Sequence, residues 1–290
     1  MRIMLLMKPD YQLFDRTLWK KRRYVSATSF AEHDIIHHYA QDIVKQRLDF
    51  IDKIFDDTVI IGAHNTDLWS HPKLRHCVFM DYASSRLPTS DLAICANDEY
   101  FPFQHQSLDA ILSIMTMHNV NDLAGTLVQM QRALKPDGLL LIVTAGAQTL
   151  RELREAFAYA EQHIYGGVTP RIHPFMETRD AGALLQRTGF NLPVIDSEKL
   201  TLSYEHMNDL IRELRRAGEA NCLIERMTHM EKKAFFETAS SYYATHFFDR
   251  EKRICCTAEL LSMTAWKPHE SQQKPLARGS AAMHLGDIFH

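Results

Sequence analysis

Residues 107–144 read SLDAILSIMTMHNVNDLAGTLVQMQRALKPDGLLLIVT, and this unit decides the fold. Its opening run, 107–115, is apolar and compact, which predicts a buried strand. Asn121 or Asp122 is placed to cap a helix, and Leu123, Leu127, Met130 and Leu134 then fall on one helical face. Pro136 stops that helix, and Asp137-Gly138 turns the chain into LLLIVT at 139–144, a second strand without a polar face. Strand, helix and strand in this order form the crossover unit of a parallel sheet.

The same reading extends in both directions. Upstream, residues 34–51 set Ile36, Tyr39, Ala40, Ile43, Val44 and Ile51 along a helical stripe. Three short apolar runs follow: TVII ending before Gly62, HCVFMD ending at Asp81 and DLAICAND ending at Asp98. Downstream, Thr149 and Glu152 match a capping box ahead of Leu150, Leu153, Phe157 and Ala160. Helices are then predicted around 181–190, closed by Gly189, at 205–217 and at 231–247. An alternating strand runs through Leu200, Leu202 and Tyr204, and ICCTAELLSMTAW at 254–266 is the last strand. Five strands alternate with helices or short crossovers, and two more are separated by a helical insertion. This is a doubly wound α/β architecture, whose ligands bind outside the carboxyl ends of the strands. The residues just after 61, 80, 96 and 115 therefore carry the functional question.

Composition sets the bounds. With 290 residues, 46% hydrophobic and 24% charged, the chain has the balance of a globular protein, not of a disordered or collagenous one. Lys and Arg total 33 against 36 acids, so the formal charge of -3 supplies no general field toward nucleic acid. The five cysteines are odd in number and lack a CxxC pair, which predicts buried thiols in a reducing compartment. No run approaches the roughly twenty apolar residues of a membrane span, and MRIMLLMKPD is too short for a secretory leader.

At the strand ends, Gly62 would let backbone N–H groups approach a cofactor, or is an ordinary turn glycine. Asp81, about twenty residues on, is placed to accept ribose hydroxyls, or simply forms a turn. Asn97 and Asp98 could accept an adenine amino proton, or belong to a solvated acidic turn. His118 could orient a substrate group or take a proton, and equally could cap the next helix. His229-Met230-Glu231 is the one His-x-acid among sixteen histidines, a match that chance supplies, so no metal site is expected. Lys20, Lys21, Arg22 and Arg23 read as a solvated helix face or as a basic lid.

Beyond these local signals the chain resembles a known family. The motifs are LFDRTLWKKRR at 13–23, SIMTMHNVNDLAGTLVQMQRALKPDGLLL at 113–141, TLRELREAF at 149–157, YGGVTPRIHPF at 165–175, RDAGALLQRTGFNLPVIDSEKLTLSY at 179–204, GEAN at 218–221 and WKPHESQQKPLARGSA at 266–281. Together they look like the bacterial relatives of mitochondrial complex I assembly factor 5. The related malonyl-carrier-protein O-methyltransferases resemble only the central third. The resemblance implies a class I S-adenosylmethionine-dependent methyltransferase fold, with a mostly parallel seven-stranded Rossmann-like sheet. It divides the chain into an N-terminal helical lid at 1–52, a cofactor-binding half at 53–150 and a C-terminal half at 151–290 that carries the helical insertion. It implies cofactor contacts from Gly62, His64, Asp81, Tyr82, Asn97, Asp98 and Met115, with His118 as the catalytic candidate.

The implied partner is a protein, an iron–sulfur subunit of respiratory complex I, met in the bacterial cytoplasm or the mitochondrial matrix. Peripheral membrane contact is compatible with this; nucleic acid is not implied. The implied activity is methylation or arginine hydroxylation of a side chain. The alternatives are an assembly chaperone that has lost its cofactor and a malonyl-carrier-protein O-methyltransferase. Ile60 and Thr66 stand where the family has an acid and a second glycine. The adenosine half of the S-adenosylmethionine site is thereby predicted to survive better than the methionine half.

Overall fold

The computed structural model describes residues 12–64, 70–90 and 92–273. Two helices come first, α1 at Arg16–Phe30 and α2 at Ile35–Asp49. The Asp15 carboxylate caps α1 by accepting the Leu18 N–H. The strands β1 Phe55–Ile61, β2 Leu74–Asp81, β3 Ala93–Cys95, β4 Leu108–Ile114 and β5 Leu134–Ala145 follow, with helix α3 at Leu123–Ala133 between the last two. Helices α4 Arg151–Tyr165 and α5 Thr178–Arg187 lead to β6 Asn191–Tyr204. Helices α6 Met207–Ala217 and α7 Lys233–His246 then form the insertion before β7 Ile254–Trp266.

Among the described residues these strands make one seven-stranded sheet in the order β3-β2-β1-β4-β5-β7-β6. β1 to β5 pair in parallel, and β7 runs antiparallel to both β5 and β6. The period of two sorts the central strands between two cores. Ile60, Leu112, Leu139, Leu141 and Val143 face α2. Val59, Ile61, Ile111, Leu140 and Ile142 face the side that holds Leu127 of α3 and Leu185 of α5. A third core joins α4, α6 and α7 to β7 through Leu153, Leu210, Phe235 and Tyr243. This is the doubly wound sheet that the sequence predicts.

Several local expectations are corrected. Helix α3 ends at Ala133, because Leu134 already pairs with Leu108; LKPDG is an irregularity inside β5, where the register steps from Leu108↔Leu134 to Ala110↔Leu139. Tyr39 lies on the exposed side of α2, whose buried face includes His37, Ala40, Gln41, Val44 and Leu48. Thr149 and Glu152 do not form a capping box. The Thr149 hydroxyl donates to the Glu259 carbonyl at 3.0 Å, and Glu152 accepts the N–H and hydroxyl of Thr257 at 3.0 and 2.5 Å. Local spacing gave way to a tertiary partner. Cys95 is exposed, whereas Cys77, Cys222 and Cys256 are buried.

The closing segment is tied to the far end of the sheet. Lys267 Nζ donates to the Leu134 carbonyl at 2.6 Å, and Gln272 Nε2 donates to Asp137 Oδ1 at 3.0 Å and to the Lys267 carbonyl at 2.8 Å. These contacts meet the start of β5, away from the strand ends that carry the candidate site. Lys274 and Arg278 lie outside the described residues, as does Thr66.

Candidate functional site

The carboxyl ends of β1, β2, β3 and β4 converge beneath α1. Gly62, which follows β1, has φ +77°, and a Cβ there would lie 2.3 Å from the Ile114 carbonyl oxygen. The glycine is thus required by the close approach of the β4 end. Its N–H donates to the Met80 carbonyl at 3.0 Å, and its own carbonyl lies 3.1 Å from His37 Nε2. His64 packs edge-on against Phe30, with ring centroids 4.5 Å apart.

Asp81 ends β2 and is buried, and its carboxylate is fully engaged. Arg23 of α1 approaches it through Nε at 3.3 Å and Nη2 at 2.5 Å, and the Ala83 N–H donates to Oδ1 at 2.8 Å. Beside it, Tyr82 stacks on Trp19 of α1 with centroids 6.2 Å apart and planes 25° from parallel. Lys20 Nζ sits 4.6 Å from the centroid of the same Tyr82 ring. Beyond β3, Arg16 pairs with Asp98 and donates to Asn97 Oδ1 at 3.1 Å. Burial pushes the Asp98 carboxyl above its ordinary range, while the charge of Arg16 pulls it back.

Met115, at the end of β4, holds φ 50° while its N–H donates to the Val143 carbonyl at 2.8 Å. A left-handed conformation at a non-glycine residue is uncommon and costs on the order of 1 kcal/mol. Met115 and His118 line a cavity of about 660 Å³ that does not include the other six predicted cofactor residues in its wall. Phe30, Leu150, Phe157 and Phe175 are among the apolar residues of the wall, which also carries four arginines (Arg22, Arg171, Arg215 and Arg226) and the acids Glu213, Glu219 and Glu231. His118 Nε2 lies 3.0 Å from Glu219 Oε2, and His118 Nδ1 lies 3.5 Å from Thr144 Oγ1. Burial alone would raise the Glu219 carboxyl, but the charge of His118, its hydrogen bond and then Arg23 bring it down to about 2. The other Glu219 oxygen is buried and lacks a hydrogen-bond partner. That oxygen is not free of charge partners, because Arg23 Nη1 lies 3.8 Å from it; an ionised carboxylate between an imidazole and a guanidinium can hold a cation or relay a proton.

Gly62 and His64 stand just after the end of β1, and the other six predicted residues fall into two places. Asp81, Tyr82, Asn97 and Asp98 lie in a crevice filled by α1, and Met115 and His118 open on the cavity. As arranged, α1 engages the groups predicted for the adenosyl moiety: Arg23 pairs with Asp81, Arg16 with Asp98, and Trp19 stacks beside the Tyr82 ring.

In the sequence Arg23 belongs to the basic run Lys20–Arg23, a solvated face or a lid, while no chemistry there singles out Arg16, Trp19 and Glu219 as site residues. Their one signal is position, since the first two stand with Arg23 in LFDRTLWKKRR and the last in GEAN. The GEAN loop bridges α1 and the cavity. Arg22 Nη1 donates to the Ala220 carbonyl at 2.9 Å and also to that of Asn221. Gly218 leaves only the room its neighbours allow, since a Cβ there would lie 2.6 Å from Ser26 Oγ. Glu231, the acid of the single His-x-acid pair, is bound to Arg171 at 2.7 Å and accepts from Tyr165 at 3.1 Å.

The sheet order and the acids closing its strands define a protein of the class I methyltransferase type. A methyltransferase-domain family model matches residues 76–142. Among solved structures, the YcgJ protein of Bacillus subtilis superposes with a TM-score of 0.55 at 15% identity, over 80% of this chain and 100% of that one, which bears on the fold alone. Along 288 residues the chain is 31% identical to the zebrafish (Danio rerio) protein "Arginine-hydroxylase NDUFAF5, mitochondrial", covering 95% of this chain and 89% of the relative. The chain belongs to that family. It is also 33% identical over 176 residues to a malonyl-[acyl-carrier protein] O-methyltransferase of Methylovorus, across 61% of this chain and 57% of that protein.

Proposed function

We propose that this protein acts in the assembly of respiratory complex I by modifying a protein side chain, and that the cavity beside His118 and Glu219 receives that side chain. The observation that carries the reading is the ionised Glu219 on the cavity wall: His118 holds one oxygen, and the second makes no hydrogen bond among the described residues and meets Arg23 only at 3.8 Å. A relative across nearly the whole chain is named an arginine hydroxylase, and a carboxylate oxygen that still lacks a hydrogen bond can accept one from a guanidinium. The apolar residues of the wall would take the aliphatic stem. The substrate would be an iron–sulfur subunit, met in the bacterial cytoplasm or in the mitochondrial matrix.

In this reading residues 1–52 form the lid, 53–150 the half with the cofactor crevice and 151–290 the half that supplies the insertion and Glu219. S-adenosylmethionine is the cofactor that the family's fold implies. No step is assigned to it, because α1 occupies the crevice.

The test is mass spectrometry of complex I subunits from strains with and without this protein. Loss of one oxygen or one methylene from a single arginine supports the reading and names the reaction. Unchanged masses together with an assembly defect would favour a non-catalytic assembly chaperone, the second reading, which the filling of the crevice by Arg23 supports. That reading expects Asp81→Asn to leave assembly intact in a folded protein.

A further inference from the structure

Every group in the crevice that could hold an adenosine is already held by α1. Arg23 lies along the Asp81 carboxylate where two ribose hydroxyls would donate, and both side chains are only 1% exposed. Trp19 lies on the face of Tyr82, where a purine would stack. Arg16 reaches Asn97 and Asp98, the acceptors for an exocyclic amine. One helix thus presents an aromatic plane and two donor forks at the spacing of one turn, through positions 16, 19 and 23. A lid that closes over a bound cofactor would leave these acceptors free.

The seat of α1 is also poorly satisfied. Among the described residues Trp19 Nε1 is buried without a hydrogen-bond partner, and so is Nη1 of Arg86, the guanidinium packed 3.4 Å from the centre of the Phe30 ring; Arg16 Nε and Arg23 Nη1 make no hydrogen bond and meet Glu99 and Glu219 only as ion pairs at 3.7 and 3.8 Å. A buried donor without a partner favours any state in which it meets water. On its outer side α1 carries Tyr24 and Val25, which are exposed among the described residues.

We infer that α1 is a built-in competitor for the adenosyl pocket: the helix and an adenosyl ligand exclude one another, and cofactor enters only as Arg16, Trp19 and Arg23 withdraw. The inference rests on the cofactor reading above and concerns the regulation of that same crevice. It means that any event drawing α1 away, such as docking of a protein on its exposed face, would raise cofactor affinity.

The test uses the full chain and S-adenosylhomocysteine as the probe. Calorimetry compares the wild type with Arg16→Gln/Arg23→Gln and, separately, with Trp19→Leu, each checked for folding by circular dichroism. Hydrogen exchange of 16–30 in the wild type is followed as the probe is added. The expected results are binding at least about tenfold tighter in either folded variant, and faster exchange across α1 on binding to the wild type. Equal or weaker binding in the variants, or wild-type binding with α1 still protected, overturns the competition but leaves the cofactor reading standing. Absence of binding in the wild type and all variants overturns both.

Discussion

His118 and Glu219, separated by 101 positions, meet at 3.0 Å and join the end of β4 to the loop that follows α6. The pair places a fixed negative charge on the cavity wall and orients the imidazole. In Glu219→Gln the amide can keep one hydrogen bond but not the charge, so Arg23, whose Nη1 lies 3.8 Å away, loses the second of its ion-pair partners and keeps Asp81. The expected loss is about 1–3 kcal/mol in urea denaturation at neutral pH. Because the folded carboxyl sits at about 2 against an ordinary 4.5, its stabilisation is complete above pH 4.5 and fades as pH falls toward 2. The gap between wild type and variant should therefore shrink steadily below pH 4.5; a gap of constant size would mean that charge is not what Glu219 contributes.

Two buried histidines give a second acid dependence in a higher window. Burial, then Arg23, holds His37 at about 3, and burial, then His118, holds His173 at about 4, both against an ordinary 6.5. The folded state binds these protons less readily than the unfolded chain. Their contribution is present above pH 6.5 and drains away as pH falls toward 4, at up to about 1.4 kcal/mol per pH unit for each histidine. His37→Gln retains a donor for the Gly62 carbonyl without a titrating ring. Its stability between pH 7 and 4.5 should fall less steeply than that of the wild type when thermal unfolding is followed across the range.

The sheet was legible because its determinants are local. TVII, SLDAILSIM and LLLIVT are too apolar for anything but buried strands, and Asp81 marks the end of β2, whereas β3 stops at Cys95, short of Asp98. The occupant of the crevice was not legible. Within Lys20–Arg23 each cation has the same local pattern, yet Lys21 is solvated and Arg23 is among the most buried side chains, because only position 23 faces Asp81 across 58 residues of chain. Glu219 was hidden for the same reason, since its partner lies in a different structural unit. Long-range ion pairs leave no periodic trace, so a family match could mark GEAN but not say what its acid touches.

Gly62 and Gly166 offer a controlled comparison of what a positive φ demands. At Gly62 (φ +77°) a methyl would meet the Ile114 carbonyl at 2.3 Å and Thr116 Cγ2 at 2.5 Å, while at Gly166 (φ +72°) no atom of the described residues lies within 4 Å. Gly166→Ala should cost only the left-handed strain, about 1 kcal/mol. Gly62→Ala adds a backbone collision beneath α1 and should cost more than about 3 kcal/mol or prevent folding. Soluble expression and melting temperature separate the two, and equal effects would show that the β4 end can give way.

The N-terminus of α4 separates a local cap from a tertiary anchor. The spacing of Thr149 and Glu152 predicts that they stabilise each other, whereas in the structure Glu152 binds the N–H and hydroxyl of Thr257 on β7. Its carboxyl, which burial alone would raise, is drawn below its ordinary range by those two hydrogen bonds. Glu152→Ala would strand both donors and should cost about 2–4 kcal/mol; Thr257→Val removes only the hydroxyl and should cost about 1 kcal/mol. Residues that share a hydrogen bond are non-additive, so the Glu152/Thr257 double-mutant cycle should give a coupling of at least about 0.5 kcal/mol. The Thr149/Glu152 cycle should give less, because the Thr149 hydroxyl is committed to the backbone of Glu259. If the larger coupling falls instead on Thr149 and Glu152, the local cap forms in solution and the anchor to β7 does not.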